Sequence, residues 1–273
     1  MAKQMEGDMK SGRRDVLKMF AAATGAGAVA LAPTLTGNVH ATGASDKAPA
    51  VPWPYKKLDS QRVGERGYAA YYRGACCYGA FEAVVGELRE AVGYPYTMMP
   101  SELMVFGEGG VAGISSLCGA LIGAASAIFL VAGGLDGKKR GEAFEIIREL
   151  FTWYEQEALP NYRPKSPKFE IKSSVANSPL CHVSVTRWCK ATGFKSFSNE
   201  RSERCGWLAA SVAKHAAELL NSRLDAAFKA THALPSQAQA CRTCHDKGGV
   251  LEDSRGLMDC GGCHFTGAKV KHP

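Results

Sequence analysis

Two short segments near the C-terminus carry the most specific chemistry in the chain. Cys241-Arg242-Thr243-Cys244-His245 and Cys260-Gly261-Gly262-Cys263-His264 both read C-x-x-C-H. Two thiols three positions apart can form thioethers to the two vinyl groups of one haem, and the adjacent His reaches the iron. A lone match would also describe a zinc knuckle or a redox dithiol. Two matches within 24 residues, behind an export leader, point to haem c at two places. Cys241, Cys244, Cys260 and Cys263 are then the attachment residues, and His245 and His264 the proximal ligands. Only 15 residues separate Cys244 from Cys260, so the haems are expected to be neighbours. From Pro235 onward the chain is Gly-rich and short of large apolar residues, so the porphyrins must organise it.

What such irons do depends on their second axial position. A second His makes an electron carrier, whereas an open position binds ligands and permits catalysis. The candidates are His182, His215 and His232, with His272 in a charged tail set aside as free. His215 shares a helical face with Leu208, Val212 and Leu219, where a core histidine is the plain alternative. His232 ends that helix and leads into the first haem motif, a good place for a distal ligand. His182 follows a cysteine of interest.

Six further cysteines precede the haem segment: Cys76, Cys77, Cys118, Cys181, Cys189 and Cys205. Phe81, Val84, Val85 and Leu88 repeat with a helix period, and Cys77 lies on their inward face. A 3.6-residue repeat turns Cys76 about 100° away, which marks it as the spare. Cys118 shares a face with Leu121, Ile122 and Phe129. Cys181, Val185, Trp188 and Cys189 form another, and Cys205 opens the long helix of Leu208 and Val212. Cysteines from four helices thus point into a core. Disulfides, plain buried thiols and an iron–sulfur centre are all open on residues alone.

The elements that must position these groups are helical. Helices are expected at 67–92, 111–133, 141–158, 179–192 and 202–231. Ser178-Pro179 reads as N-cap and first residue of the fourth, which stops at Gly193. The third is supported by Phe144, Ile147, Leu150, Phe151 and Tyr154. Phe169 and Ile171 suggest a short strand, after a Pro- and Lys-rich loop at 161–168. Gly109 to Leu135 has no charged residue and could be taken for a membrane span, but its Gly and Ala content reads as a buried core helix. Gly119-x-x-x-Gly123 suits close packing between helices. The fold class is mainly α: a helical cysteine-rich domain at 42–232, then a loop-rich dihaem segment at 233–273.

The segment before residue 42 is an address. Arg13-Arg14 precedes the Ala- and Gly-rich stretch Met19–Leu35, and Val39-His40-Ala41 offers a cleavage site. This is a twin-arginine export signal over residues 1–41, which places the mature protein in the periplasm with no membrane span. Such export carries chains already folded, commonly around a cofactor. The formal charge is +7, and the leader accounts for +2 of it. The remainder is too mild to argue for nucleic acid, and no basic run is interleaved with aromatics. No nucleotide fingerprint or Ser/His/Asp arrangement has local support. Glu142 and Glu145 lie on an exposed helix face.

Gly109-Gly110-Val111-Ala112-Gly113-Ile114-Ser115-Ser116-Leu117-Cys118-Gly119-Ala120-Leu121-Ile122-Gly123 resembles the central motif of the C-GCAxxG-C-C family, with Leu117 where the family pattern has its first Gly. Together with the leader and the two haem motifs, the whole mature chain resembles the split-Soret cytochrome c family. That resemblance implies a helical homodimer, two closely stacked haems c per chain with bis-histidine irons, and a [2Fe-2S] cluster. Matched residue by residue, the cluster ligands come from Cys77, Cys118, Cys181, Cys189 and Cys205, at least one of which is surplus. The expected function is periplasmic electron transfer with redox partner proteins. The alternatives are an oxidoreductase reducing peroxide or a nitrogen oxide at an open haem, and a zinc-holding interaction module.

Overall fold

The computed structural model describes residues 48–261. The expected leader at 1–41 and Cys263, His264 and His272 lie outside those residues. The described chain is mainly helical, as the periodicity predicts.

Helix α1 runs Ser60–Ala91, seven residues longer at its start than the apolar repeat suggests. Asp59 causes the earlier start, because its carboxylate accepts from the Gln61 and Arg62 N–H groups. The helix breaks at Gly74–Ala75, where Ala75 has φ 61° and ψ −165°. Helix α2 spans Gly119–Ala132 rather than 111–133. Gly109, Gly110, Val111, Ala112 and Gly113 all have positive φ, so the chain there cannot be right-handed helix. Among the described residues no helix is long and apolar enough to cross a membrane.

Helix α3 covers Gly137–Gln156, with Asp136 accepting from the Lys139 N–H at 2.9 Å. Its inward stripe is Ala143, Ile146, Leu150, Trp153 and Tyr154. Phe144, one of the residues whose spacing supports the helix, is exposed beside Phe129 and the Arg148 guanidinium. Strands β1 (Ala158–Leu159) and β2 (Ser174–Val175) pair antiparallel, three residues beyond the strand expected at Phe169–Ile171.

Helix α4 is Cys181–Thr192. It starts two residues later than the Ser178-Pro179 signal because Leu180 forms an antiparallel bridge with Leu117. It ends, as expected, at Gly193 with φ 81°. Helix α5, Asn199–Leu224, is capped by Ser198 and stops well short of residue 231 at a turn where Ala226 has φ 54°. Cys205 therefore sits in its second turn, and His232 lies beyond it in irregular chain. Helix α6, Ser236–His245, was not expected from a segment so poor in large apolar residues.

The core lies between α1, α2 and α5, with α3 closing one side. Small residues set the spacing. A Cβ on Gly67 would meet Ala210 Cα at 3.1 Å, and one on Gly123 would lie 2.1 Å from the Cys77 carbonyl oxygen. The Gly119-x-x-x-Gly123 pair thus lets α2 press its backbone onto α1 where Cys76 and Cys77 sit. Gly123→Ala should therefore cost about 1–3 kcal/mol through forced separation of the two helices. Gly141→Ala, in open space on α3, should instead stabilise by about 0.4–1 kcal/mol. Urea midpoints of the two variants check this, and equal midpoints would contradict the packing argument.

Candidate redox site

The six cysteines before the haem segment are all free thiols. Four of them gather from four segments: Cys76 from α1, Cys118 at the start of α2, Cys181 at the start of α4 and Cys205 from α5. Cys76 senses the charge of Cys118, Cys205 and Cys181, Cys181 that of Cys118 and Cys205, and Cys118 that of Cys205. Backbone pairing fixes two of the four. Cys118 N–H donates to the Pro179 carbonyl at 2.9 Å, and Cys181 N–H donates to the Ser116 carbonyl at 2.7 Å. The left-handed loop before them folds under α4, so that a Cβ on Gly110 would lie 2.8 Å from Cys181 Cβ. Among the described residues no three or more His, Cys, Asp or Glu side chains are already drawn into a tight metal-binding set.

The break in α1 changes which of its two cysteines faces this group. An unbroken repeat turns Cys76 away. With the backbone reset at Gly74–Ala75, Cys76 Sγ instead lies against the start of α2, 2.6 Å from where a Gly119 Cβ would be. Cys76 senses Cys118, Cys205 and Cys181, whereas Cys77 is fully buried against Gly107 and senses Cys118 alone. Cys189 stands further out, toward Arg201, Arg204 and Cys205.

Burial pushes the thiols up: Cys77 and Cys181 to about 12, with Cys118 also raised and Cys76 raised well above the ordinary value. In this setting they are neutral unless a cation joins them. The cation already present is Arg204, 1% exposed and close to Cys118 and Cys205. Its Nη2 donates to Ser184 Oγ at 2.8 Å, and Tyr154 OH donates to the same oxygen at 2.8 Å. Among the described residues Arg204 has no carboxylate partner, and its Nε has no hydrogen bond. Arg201 reaches Cys205 from the outer side. An arginine cannot shed its proton, so negative charge nearby would offset the cost of this burial. Thiolates bound to iron would supply it, while disulfides or neutral thiols would not.

The second feature is a cavity of about 860 Å³ on the far side of the Leu117–Leu180 bridge. Ile147, Phe151 and Thr152 of α3 wall it, Leu117, Pro179, Leu234, Leu257 and Met258 add further apolar lining, and charged side chains from α3 and α6 stand beside them. Its size and lining suit a large flat apolar cofactor. Arg242, inside the first haem motif, lines it, and so does His232. His232 Nδ1 lies 2.7 Å from Glu149 Oε1, and Nε2, on the other side of the ring, lies 3.6 Å from Glu157 Oε1. A carboxylate on Nδ1 fixes the ring's orientation, as it does for histidines that bind metal through Nε2. His245, the last residue of α6, has the same arrangement, its Nδ1 2.6 Å from Asp253 Oδ1. Cys260 lies beside Cys241, so the two haem motifs meet at their first cysteines.

The other histidines go elsewhere. His215 stacks on Trp153 at 4.0 Å and does not line the cavity, although its Nε2 is buried without a partner among the described residues. His182 is exposed next to Cys181, its N–H donating to the Ser115 carbonyl. Sequence reasoning missed Glu149, Arg204 and Cys76. The first two carried a weak signal, each a charged residue in an inward register, beside Ile146 and Trp153 or four before Leu208.

The chain matches the model of the C_GCAxxG_C_C redox-active protein family over residues 78–219. It is 34% identical to the split-Soret cytochrome c of Desulfovibrio desulfuricans, over 97% of this chain and the full length of that protein. It also superposes on a solved structure of split-Soret cytochrome c from that organism, described as having a novel iron centre. There the TM-score is 0.74 and the identity 36%, covering 82% of this chain and 97% of the other.

Glu149 is the anchor of the cavity rim. Burial would raise its carboxyl, but the bonds from His232 and Thr231 hold it below the usual range. It accepts from Thr231 N (3.1 Å) and Oγ1 (2.8 Å) and from His232 N (3.2 Å). Glu149→Ala strands these donors and should cost about 1–3 kcal/mol, with Glu149→Gln milder. A urea midpoint for Glu149→Ala equal to wild type would contradict this role.

Proposed function

The chain belongs to the split-Soret cytochrome c family, within the C_GCAxxG_C_C redox proteins, and from that premise we propose that it is an electron-transfer protein with two kinds of redox centre. Two haems c are held by Cys241/Cys244 and Cys260/Cys263, with His245 and His264 as proximal ligands. The cavity beside α6 takes one of them, with His232 as its distal ligand. Bis-histidine irons make both haems carriers rather than open catalytic sites. An iron–sulfur centre of the [2Fe-2S] type is held by ligands drawn from Cys76, Cys118, Cys181 and Cys205, with Cys77 and Cys189 as the outlying alternatives. When bound, these groups supply reversible one-electron couples. The protein is exported by the twin-arginine pathway to the periplasm and works there as a homodimer with redox partner proteins.

The observation that carries the reading is the wall shared by the two sites. Leu117 and Pro179 line the cavity, while Cys118 and Cys181, one and two residues further on, turn into the thiol group. One strip of paired backbone therefore separates them. This chain's residues do the positioning: Glu149 orients His232, Asp253 orients His245, and Arg204 offsets negative charge at the sulfurs. The apolar wall of Ile147, Phe151 and Met258 would pack against the face of a bound cofactor, with charged side chains at the open rim.

Cys118→Ser separates the two centres experimentally. The protein, exported from a host that matures c-type haem, is expected to lose the iron–sulfur electron paramagnetic resonance signal of the reduced wild type. Both haems should remain covalently bound on a denaturing gel, with a low-spin spectrum. Retention of the signal in the variant, or its absence from wild type, would remove the iron–sulfur claim. A high-spin haem that binds cyanide would replace the carrier reading with an open catalytic site.

A further inference from the structure

Glu155 is a second carboxylate at the cavity, with no role in holding His232. It sits on α3 one and a half turns beyond Glu149, 3% exposed, and lines both the large cavity and a neighbouring one of about 480 Å³. Its Oε1 is buried and has no hydrogen-bond partner among the described residues. A buried carboxylate with an unanswered oxygen is costly when charged and tolerable when protonated.

We propose that Glu155 is a redox-linked proton site, taking up a proton when the haem in the cavity is reduced and releasing it on oxidation. The inference rests on the reading that a haem fills this cavity. With haem bound, one electron from an external one-electron donor would convert ferric to ferrous iron while one proton from solvent would convert the Glu155 carboxylate to the acid, leaving the site's net charge unchanged. Keeping that charge constant matters most where water is excluded, because an uncompensated electron is expensive at low dielectric.

The surroundings leave burial in control of Glu155. Burial pushes its carboxyl up to about 7, with an opposing contribution from the Asp259 N–H and a reinforcing one from the Asp259 charge. Other charged groups on the cavity are largely answered locally. From α3, Glu149 is bound to His232, while Glu145 and Arg148 are exposed to solvent at the rim. From α6, Arg242 is paired with Asp246, and from the following segment Arg255 is exposed. Added negative charge at the iron raises the affinity of Glu155 for a proton. The potential must then fall with rising pH between the Glu155 values of the oxidised and reduced states, and be flat outside that window.

Spectroelectrochemical titration from pH 5.5 to 8.5, with dithionite as reductant, tests this in wild type and Glu155→Gln. In wild type the potential of one haem should fall as pH rises through about 7. The limit is tenfold in the equilibrium constant per pH unit, which is 59 mV for one electron. Glu155→Gln should be flat over the same range. A flat wild type, or the same slope in both proteins, would overturn the proposal by assigning the protons elsewhere or to nothing. If Glu155→Gln fails to fold with its haems, reduced-minus-oxidised infrared spectra of wild type at pH 7 replace it. A carboxylic-acid carbonyl band gained on reduction supports the proposal, and its absence overturns it. Phe151→Trp, which narrows the cavity, tests the underlying reading separately. A shifted Soret band with no proton linkage overturns the Glu155 site alone, and an unshifted one removes the haem from the cavity and the proposal with it.

Discussion

The guanidinium of Arg204 is the constraint around which the cysteine site is arranged. It is as buried as any apolar side chain of the core and has no carboxylate to answer it among the described residues. Burying an unpaired charge costs several kcal/mol even after relaxation, on the order of the whole stability of a domain. The groups in reach are Ser184, Tyr154 and the sulfurs of Cys118 and Cys205. Neutral thiols do little to offset the charge, and disulfides do nothing. Metal-bound thiolates would neutralise it in place.

Helix α3 connects this site to the cavity. One of its faces gives Tyr154 to the thiols, and the adjoining face gives Ile147, Phe151 and Thr152 to the cavity. The same helix carries the two carboxylates, Glu149 and Glu155, that lie buried where apolar residues would otherwise be. They do different things because their surroundings differ. Glu149 accepts four donors from Thr231 and His232 and stays ionised, whereas Glu155 has an oxygen that nothing reaches. Two acids six residues apart are thus driven in opposite directions by hydrogen bonding and its lack.

Much of this was legible in the residues, and the rest was hidden for identifiable reasons. The C-x-x-C-H segments are local in sequence, so their spacing alone marks them as candidates. The inward faces of Phe81 to Leu88 and of Cys181 to Trp188 follow from helical period, and Gly193 ended α4 where its freedom to take positive φ allows. Period fails where the backbone leaves the helix. Cys76 looked like the spare thiol because the repeat was carried through Gly74–Ala75, where the chain in fact breaks. The start of α2 moved by eight residues because Val111 and Ala112 take left-handed conformations that no propensity anticipates. Likewise α5 ended early, which put His232 in irregular chain where Glu149 could hold it. Glu149, Glu155 and Arg204 were obscured because a charged residue in an apolar stripe gains meaning only from partners distant in the chain.

The central claim, that one chain holds haem and a separate iron–sulfur centre across a shared wall, is tested most directly by counting. Total iron per chain should be measured beside covalent haem per chain on the purified wild-type protein, with Mössbauer spectra of iron-57-labelled samples to assign the difference. The account predicts more iron than haem, with the excess in a sulfur-ligated environment. Iron equal to haem, with every atom in a porphyrin, would contradict it and leave Arg204 buried among thiols without the charge that would offset its burial.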